Sequence, residues 1–307
     1  MLAEERRSKI QEILAYKNSV SIAELVEQFG TSEMTIRRDL DELEARGVCQ
    51  RIHGGAMSLR AMEYRSQIYP PFALREQAQA AEKIAIAHAA AALVKPGDTI
   101  AIDSGTTAAY LAYVLRDFNA ITVISNSLQA LAQLYDIIRI HLLSPGGTLS
   151  LEGMDAGGGD LSFVGPVANA TLRTFRPNLA FISASGVSIS DGISNVGLFQ
   201  AEIKRTLIDI SEEVILITDH TKFGQASGVI VASLQRINKV ITDCQAPAED
   251  IEKLRAMGIQ VTQVEPNHEM IALRQAFIPA ISATSASNSL HTDSPVLNLN
   301  NPNNTTV

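Results

Sequence analysis

Cysteine is scarce and scattered in this chain. Only Cys49 and Cys244 occur in 307 residues, with no C-x-x-C pair and no histidine cluster beside them. A disulfide framework and a cysteine-based metal centre are therefore not expected, and a reducing compartment is. Long apolar runs are missing too: the stretch 84–94 is interrupted by His88 and is too short to cross a bilayer. The opening MLAEERRSKI mixes acids with bases and contains no apolar segment, so it does not read as a secretory leader. The expectation is a cytoplasmic protein without membrane, metal or cofactor. Positive charge is also in short supply. The net charge of −8 argues at first against a nucleic-acid partner. Distribution matters more than the total, however, and Arg37, Arg38, Arg51, His53 and Arg60 gather in one short region. An apolar content of 46% and a charged content of 19% describe a globular chain with an ample core, long enough for two domains.

What is present begins with a helical module. A first helix is expected from about Ala3 to Tyr16, with Ile10, Ile13 and Leu14 inward. Ser21-Ile22-Ala23-Glu24 has the form of a capping box, a hydroxyl followed three residues on by a carboxylate. The helix it opens carries Ile22, Leu25, Val26 and Phe29 at i, i+3, i+4 and i+7, and Gly30 stands where a left-handed cap is needed. The next helix, TSEMTIRRDLDEL, starts from Thr31 or Ser32 and commits Ile36, Leu40 and Leu43 to a core. At 100° per residue Arg38 lies nearly opposite that stripe, Met34 and Thr35 flank it, and Arg37 sits toward one edge. Two short amphipathic helices about a Gly-containing turn make a helix-turn-helix with the second helix as reader. After Gly47 the run 48–52 and the following H-G-G-A read as a short hairpin, a wing from which Arg51 and His53 reach toward phosphate.

The segment S-E-M-T-I-R-R-D-L, followed by L-E-A-R-G and R-I-H-G-G-A, resembles the DNA-binding module of DeoR-family transcriptional regulators over nearly all of residues 3–58. The resemblance implies a winged helix-turn-helix in which Ser32, Thr35, Arg37 and Arg38 face the major groove or its phosphates. It also implies that Arg51, His53 and Gly54 touch the DNA backbone. Ser21, Thr31 and Met34 complete the expected DNA-binding set. The periodicity favours Arg38 for a base edge and Arg37 for phosphate.

Residues 59–80 read as a linker with Pro70 and Pro71 and one short helix at most. Beyond it, β-rich runs alternate with helical ones. Strands are expected at 99–102, 120–124, 139–143, 179–182, 214–218, 239–242 and 260–264, and helices at 107–116, 127–135, 199–210 and 248–257. Phe199, Ile203, Leu207 and Ile210 form an apolar stripe on the third of these helices. The fold class is α/β overall: a small N-terminal winged helix-turn-helix (1–58), then a mainly parallel, doubly wound α/β domain over 81–265. The stretch 283–307, rich in Ser, Thr and Asn, is expected to be a disordered tail.

In such a sheet the ligand crevice lies beyond the carboxyl ends of the strands. Asp103-Ser104-Gly105-Thr106-Thr107, Ser125-Asn126-Ser127, Ser144-Pro145-Gly146-Gly147-Thr148, Ser183-Ala184-Ser185-Gly186 and Asp219-His220-Thr221-Lys222 all follow expected strands. Each is small, polar or Gly-bearing, as a small polyhydroxylated ligand requires. Asp103 to Thr107 precedes a helix, so backbone N–H groups and the helix dipole can hold a phosphate, with Lys222 a matching charge. D-S-G-T-T, S-N-S, L-L-S-P-G-G-T, the Glu202/Lys204 pair and D-H-T-K-F-G resemble the DeoR family's effector-binding half, which is similar to ribose-phosphate isomerases and binds phosphorylated sugars or their metabolites. By that resemblance Ser104 to Thr107 hold phosphate, while Asp103, Asn126, Gly146, Gly147, Lys204 and Lys222 line the sugar end.

One departure stands out. Many relatives carry a G-A-D-G-I type block where this chain has Ser183-Ala184-Ser185-Gly186-Val187, and related isomerases place catalytic carboxylates in that loop. Glu202 and Asp191 are the remaining candidates for a base. No catalytic residue is therefore expected. The reading that follows is a sequence-specific DNA-binding transcription regulator, a repressor of a carbohydrate-catabolism operon released or modulated by a phosphorylated sugar. Its partners are operator DNA, that effector and further copies of itself, since operators read by paired helices need at least a dimer. Two alternatives stay open. One is a sugar-phosphate isomerase with a DNA-binding arm; the other is a nucleotide-binding redox sensor, which would need G-x-G-x-x-G where D-S-G-T-T stands.

Overall fold

The computed structural model describes residues 2–17, 19–52, 54–58, 70, 72–150 and 160–266. His53, most of the expected linker and the expected tail lie outside the described residues. In the first part, α1 (Ala3–Lys17), α2 (Ile22–Phe29) and α3 (Glu33–Ala45) pack around a small core of Ile10, Leu14, Ile22, Leu25, Ile36, Leu40 and Leu43. The starts and stops of the helices are local chemistry. Ser21 Oγ accepts from Glu24 N at 3.1 Å while the Glu24 carboxylate accepts from Ser21 N at 2.9 Å, closing the capping box. Gly30 ends α2 at φ 61° and returns its N–H to Val26 O. Ser32, not Thr31, caps α3, accepting from Thr35 N at 3.3 Å.

The wing is a three-stranded antiparallel sheet, β1 (Ser19–Ser21), β3 (Gly55–Ser58) and β2 (Cys49–Ile52) in that order. β1, at three residues, is too short to leave a periodic signal in the sequence. Gly55 is required here: a Cβ at that position would sit 2.0 Å from Val20 O. α1 is fastened to α3 by charge. Asp39, buried on the inner side of α3, accepts from Arg6 Nε at 2.5 Å and Arg7 Nε at 3.0 Å.

The second part begins with α4 (Phe72–Gln77) and α5 (Ala80–Ala91). Phe72 is buried in the core of this unit, so its packing starts ahead of residue 81. A seven-stranded sheet follows. Its strands are β4 (Thr99–Ile102), β5 (Ile121–Ser125), β6 (Ile140–Leu143), β9 (Leu179–Ile182), β12 (Glu213–Ile217), β14 (Lys239–Asp243) and β15 (Gln260–Val264), ordered β15-β14-β12-β9-β4-β5-β6. Every pairing in it is parallel. Parallel strands need both faces covered, which is why L-A-F-I in β9 and V-I-L-I in β12 are apolar without alternation.

One face packs Ile100, Ile102, Phe181, Ile215 and Ile217 against α4, α5, α6 (Thr106–Val114) and α7 (Leu128–Leu134). The other packs Ala101, Ala180, Ile182, Leu216 and Val240 against α8 (Gly165–Leu172), α9 (Leu198–Ile210) and α10 (Ala248–Ala256). Helices on both faces make the sheet doubly wound.

Smaller pieces escaped the sequence pattern. β7 (Thr148–Ser150) pairs with β8 (Ser162–Val164), and β10 (Gly186–Ser188), β11 (Gly192–Asn195) and β13 (Val229–Ala232) form an antiparallel sheet. At three or four residues, with glycines starting β10 and β11, these strands carry no readable period. The stripe expected on α9 also needs correction. Ile203, Leu207 and Ile210 are buried, but Phe199 is 49% exposed because the first turn of α9 projects past the edge of the core.

Candidate functional site

The outer face of α3 carries the first candidate site. Met34, Arg37 and Arg38 are exposed there, Thr35 is half-buried, and Ser32 Oγ lies 2.9 Å from Thr35 Oγ1. Arg37 leans on Glu33 at 3.4 Å, an exposed i, i+4 contact worth a few tenths of a kcal/mol at most. Arg38 has no hydrogen-bond or ion-pair partner among the described residues, so its five donors are available at no competing cost.

Two other expected DNA ligands are committed inside the module. Ser21 Oγ belongs to the capping box. Arg51 pairs with Asp41 and donates to Arg37 O at 3.1 Å and Gly55 O at 3.3 Å, tying the wing to α3. Thr31 is half-exposed just ahead of the cap, and Gly54 turns the wing at φ 82° with open space around its Cα. His53 lies outside the described residues. Asp39 was missed from sequence because the R-R-D-L block does not reveal that its carboxylate faces two arginines 32 and 33 residues away.

The second site is set by strand order. From β4 the chain winds to β5 and β6 on one side, then returns to place β9 on the other side of β4 and continues outward to β15. The reversal falls between β4 and β9, and the crevice of a doubly wound sheet opens at that point, past the carboxyl ends of the strands. Asp103 directly follows β4 and Ser183 directly follows β9, and they meet there: Ser183 N and Oγ each donate to Asp103 Oδ2 at 3.1 Å. Lys204, reaching in from α9, ion-pairs with the same carboxylate and donates to Ser183 Oγ at 3.0 Å. Asp103 is 0% and Lys204 2% exposed. The pair therefore neutralises itself within the floor of the crevice, and Ser185, the residue that stands at the acidic position of the G-A-D-G-I block, hydrogen-bonds to Asn195 Oδ1 at 3.2 Å.

Two acceptors remain over. Asp103 Oδ1 and Asn126 Oδ1, at the ends of neighbouring strands β4 and β5, are buried with no hydrogen-bond partner among the described residues. A buried acceptor without a donor is costly, roughly 1–3 kcal/mol, and marks a place for a donor to arrive. Beside Asp103, Gly105 at φ 132° starts α6, and a Cβ there would lie 2.9 Å from Ser183 Oγ. The first N–H groups of α6, at Thr106 and Thr107, have no carbonyl within the helix to meet. Lys222 follows β12 on the short turn His220–Lys222. It is half-buried, and its amine has no side-chain partner among the described residues.

Next to it Asp243, ending β14, accepts from His220 N at 2.8 Å and faces His220 Nδ1 at 2.9 Å, which orients the imidazole. Of the glycines expected to touch ligand, Gly147 is closely packed: a Cβ there would meet Val164 O at 2.8 Å and Ala168 at 3.0 Å. Gly146 turns the same loop at φ 64° with open space beside it. Asp191, one candidate base, is exposed at the end of a hairpin, with its carboxyl held below the usual range by hydrogen bonds from Ser188 and Ser190. It is poorly suited to take a proton. Among the described residues there is no cluster of metal-ligating side chains. No described helix is long and apolar enough to cross a membrane.

A winged helix-turn-helix with an unpaired arginine on its reader helix, followed by a switch-point crevice, defines a DNA-binding transcription regulator with a sensor domain. Residues 6–61 match the DeoR-like helix-turn-helix domain, and residues 78–244, more than half of the chain, match the DeoR C terminal sensor domain. The chain belongs to the DeoR family. The HTH-type transcriptional regulator YulB of Bacillus subtilis strain 168 is 38% identical over 264 residues, covering 86% of this chain and 98% of its own length. The glycerol-3-phosphate regulon repressor of Escherichia coli K12 is 30% identical over 258 residues, covering 84% and 97% respectively. Among solved structures, ribose 5-phosphate isomerase A of Methanocaldococcus jannaschii overlaps 48% of this chain and 55% of its own at 19% identity and a TM-score of 0.35. Membership in a family of regulators goes against the isomerase alternative, as does the self-neutralised Asp103.

Proposed function

We propose that this chain represses a carbohydrate operon by reading operator DNA with α3, and that a phosphorylated sugar bound at the β4/β9 switch point modulates that binding. The carrying observation is the pairing of two unlike needs in one crevice. Among the described residues Asp103 Oδ1 and Asn126 Oδ1 lack donors, which hydroxyl groups supply, while the start of α6 and the Lys222 amine lack an anion. A phosphate ester of a polyol answers both. One relative's name, glycerol-3-phosphate regulon repressor, points to the same ligand chemistry.

On the DNA side Arg38 is assigned to a base edge, Arg37 to phosphate, and Ser32, Met34 and Thr35 to the surrounding contacts. Two reader helices on a two-fold axis fit an operator with paired half-sites, so the working form is a dimer or larger. The domain plan is a DNA-binding module over 1–58 and a sensor running to 265 whose packing begins at α4, ahead of the boundary at residue 81 expected from sequence. If effector and operator favour different arrangements of the oligomer, each weakens the other by the same factor.

The experiment is an operator mobility shift titrated with a panel of sugar phosphates, run beside Lys222→Ala. One compound of the panel is expected to release the wild type at a concentration that leaves the variant bound. Release by an unphosphorylated sugar alone, or equal response of the variant, refutes the assignment.

A further inference from the structure

Gln200 and Ser162 stand outside every motif discussed so far, yet contacts tie both to the wall of the crevice. Gln200 lies on α9 one turn ahead of Lys204, so the two side chains share a face of that helix. It is buried, and its Nε2 donates to Ser150 Oγ at 3.1 Å. Ser150, in β7, is the register partner of Ser162 in β8, and side chains directly opposite in an antiparallel pair emerge on one face. Ser162 also bridges to Ser127, and the residue before Ser127 holds the same strand. Phe163 N donates to Asn126 O at 2.8 Å, and Asn126 Nδ2 donates to Phe163 O at 3.4 Å. Asn126 stands beside Asp103, since each follows the last residue of its strand and those residues, Ser125 and Ile102, pair. Asp103 closes the ring through its ion pair with Lys204.

Four polar atoms of this ring are buried with no hydrogen-bond partner among the described residues: Asp103 Oδ1, Asn126 Oδ1, Gln200 Oε1 and Ser162 Oγ. All four residues are more than nine-tenths buried. The ring gathers these atoms, but none bonds to another, so each waits for a partner that enters from outside. A native fold seldom leaves one such atom unmet, and four on one ring mark a built site. Their chemistry is one-sided. Three are pure acceptors: a carboxylate oxygen and two amide oxygens, whose nitrogens already serve Phe163 O and Ser150 Oγ. The fourth is a hydroxyl, which can give or take. A ligand that satisfies them brings several O–H groups in a row. One that ends in a carboxylate brings only lone pairs to acceptors with no proton to share.

We propose that Gln200 and Ser162 are specificity-determining residues of the crevice, acting with Asn126 and Asp103 to select a run of neighbouring hydroxyl groups. The ligand class is then the phosphate ester of a polyol, and the ester of a sugar acid is rejected. The inference rests on the switch-point pocket proposed above and names what its non-phosphate end recognises. Phosphate is left to the start of α6 and to Lys222, so separate groups hold the two ends of the ligand. Each end can therefore be perturbed alone.

The test is titration calorimetry of the full chain with two pairs of probes. One pair is sorbitol 6-phosphate and 6-phosphogluconate; the other is racemic glycerol 3-phosphate and racemic 3-phosphoglycerate. Within each pair the only difference is a hydroxymethyl group or a carboxylate at the end away from phosphate. In at least one pair the polyol ester is expected to bind at least about tenfold more tightly than the acid. Gln200→Met should weaken that polyol ester about fivefold and shrink the preference, and Ser162→Ala should do the same at about twofold or more. Gln200→Glu, which keeps an acceptor in place, should retain the preference. Lys222→Ala should weaken both members of a pair alike and leave their ratio unchanged. If Gln200→Met does not fold, Ser162→Ala and Gln200→Glu carry the comparison. An acid that binds as tightly as its polyol in both pairs overturns the proposal. So does a preference that the Gln200 and Ser162 variants leave at its wild-type size; if Lys222→Ala still weakens binding, the pocket itself stands. Absence of binding by either polyol ester at millimolar concentration also overturns the proposal, and the operator-release panel then judges the pocket separately.

Discussion

Neutralising Asp103 should damage the stability of the sensor as well as its ligand crevice. Its carboxylate is fully buried and its ion-pair partner Lys204 nearly so. Asp103→Asn keeps the shape of the side chain but strands the Lys204 ammonium, leaving it Ser183 Oγ at 3.0 Å and an amide oxygen. Breaking a buried pair from one side costs roughly 3 kcal/mol or more, because the surviving charge stays desolvated. In a unit of this size each kcal/mol moves the melting temperature by about 2–4 °C, so a drop of roughly 6–12 °C follows.

Adding Lys204→Met removes the stranded charge, and the double variant should recover most of the loss despite having lost the whole ion pair. Differential scanning calorimetry of the full chain, following the sensor transition, reads all three proteins. If Asp103→Asn costs less than about 1 kcal/mol, or the double variant is no more stable than the single one, the pair is not the buried, mutually dependent unit described here.

Other expectations follow from the same geometry. Arg38→Ala should reduce operator affinity by about 1–3 kcal/mol and relax specificity at one base position, whereas Arg37→Ala should weaken all sequences alike and lower the salt slope by about 1. Salt-titrated binding to operator and scrambled DNA separates the two; interchanged behaviour would reverse the assignments. Asp39→Ala leaves Arg6 and Arg7 facing a buried gap and removes the tie between α1 and α3. In a module of about 55 residues, which is marginal on its own, a cost of roughly 3 kcal/mol should abolish its cooperative melting while the sensor transition stays in place.

Lys83 makes stability rise with alkaline pH. Its folded-state value of about 8 lies below the unfolded one of 10.5, so the unfolded chain holds more protons between those limits. Urea midpoints for the wild type should therefore climb from pH 8 toward 10.5 relative to Lys83→Met, and parallel curves would count against a desolvated ammonium.

What the amino-acid order disclosed divides by distance along the chain. The capping box at Ser21–Glu24, the left-handed Gly30 and the buried stripe of Ile36, Leu40 and Leu43 each depend on residues within a few turns of one another, and all were legible. So were the seven strands of the parallel sheet, within a residue or so at each end, because apolar runs of four or five between turns can hardly be anything else. Phe199 shows the limit of periodicity: spacing puts it in the stripe, but only the end of the core decides whether anything covers it.

The crevice itself was legible as a set of polar strand ends, not as a place. Its location depends on β9 crossing back to lie beside β4, with Asn178 bonding to Thr99 across 79 residues and Lys204 meeting Asp103 across 101. Arg51 and Lys83 mark a complementary limit. The motif that carries Arg51 does not reveal its pairing with Asp41, and the apolar helix that carries Lys83 does not reveal that its ammonium is buried. A charge acquires its role from what surrounds it after folding. The residues hardest to assign from sequence are therefore those whose partners are carbonyls, as Lys83's are, because backbone acceptors leave no signature in the letters.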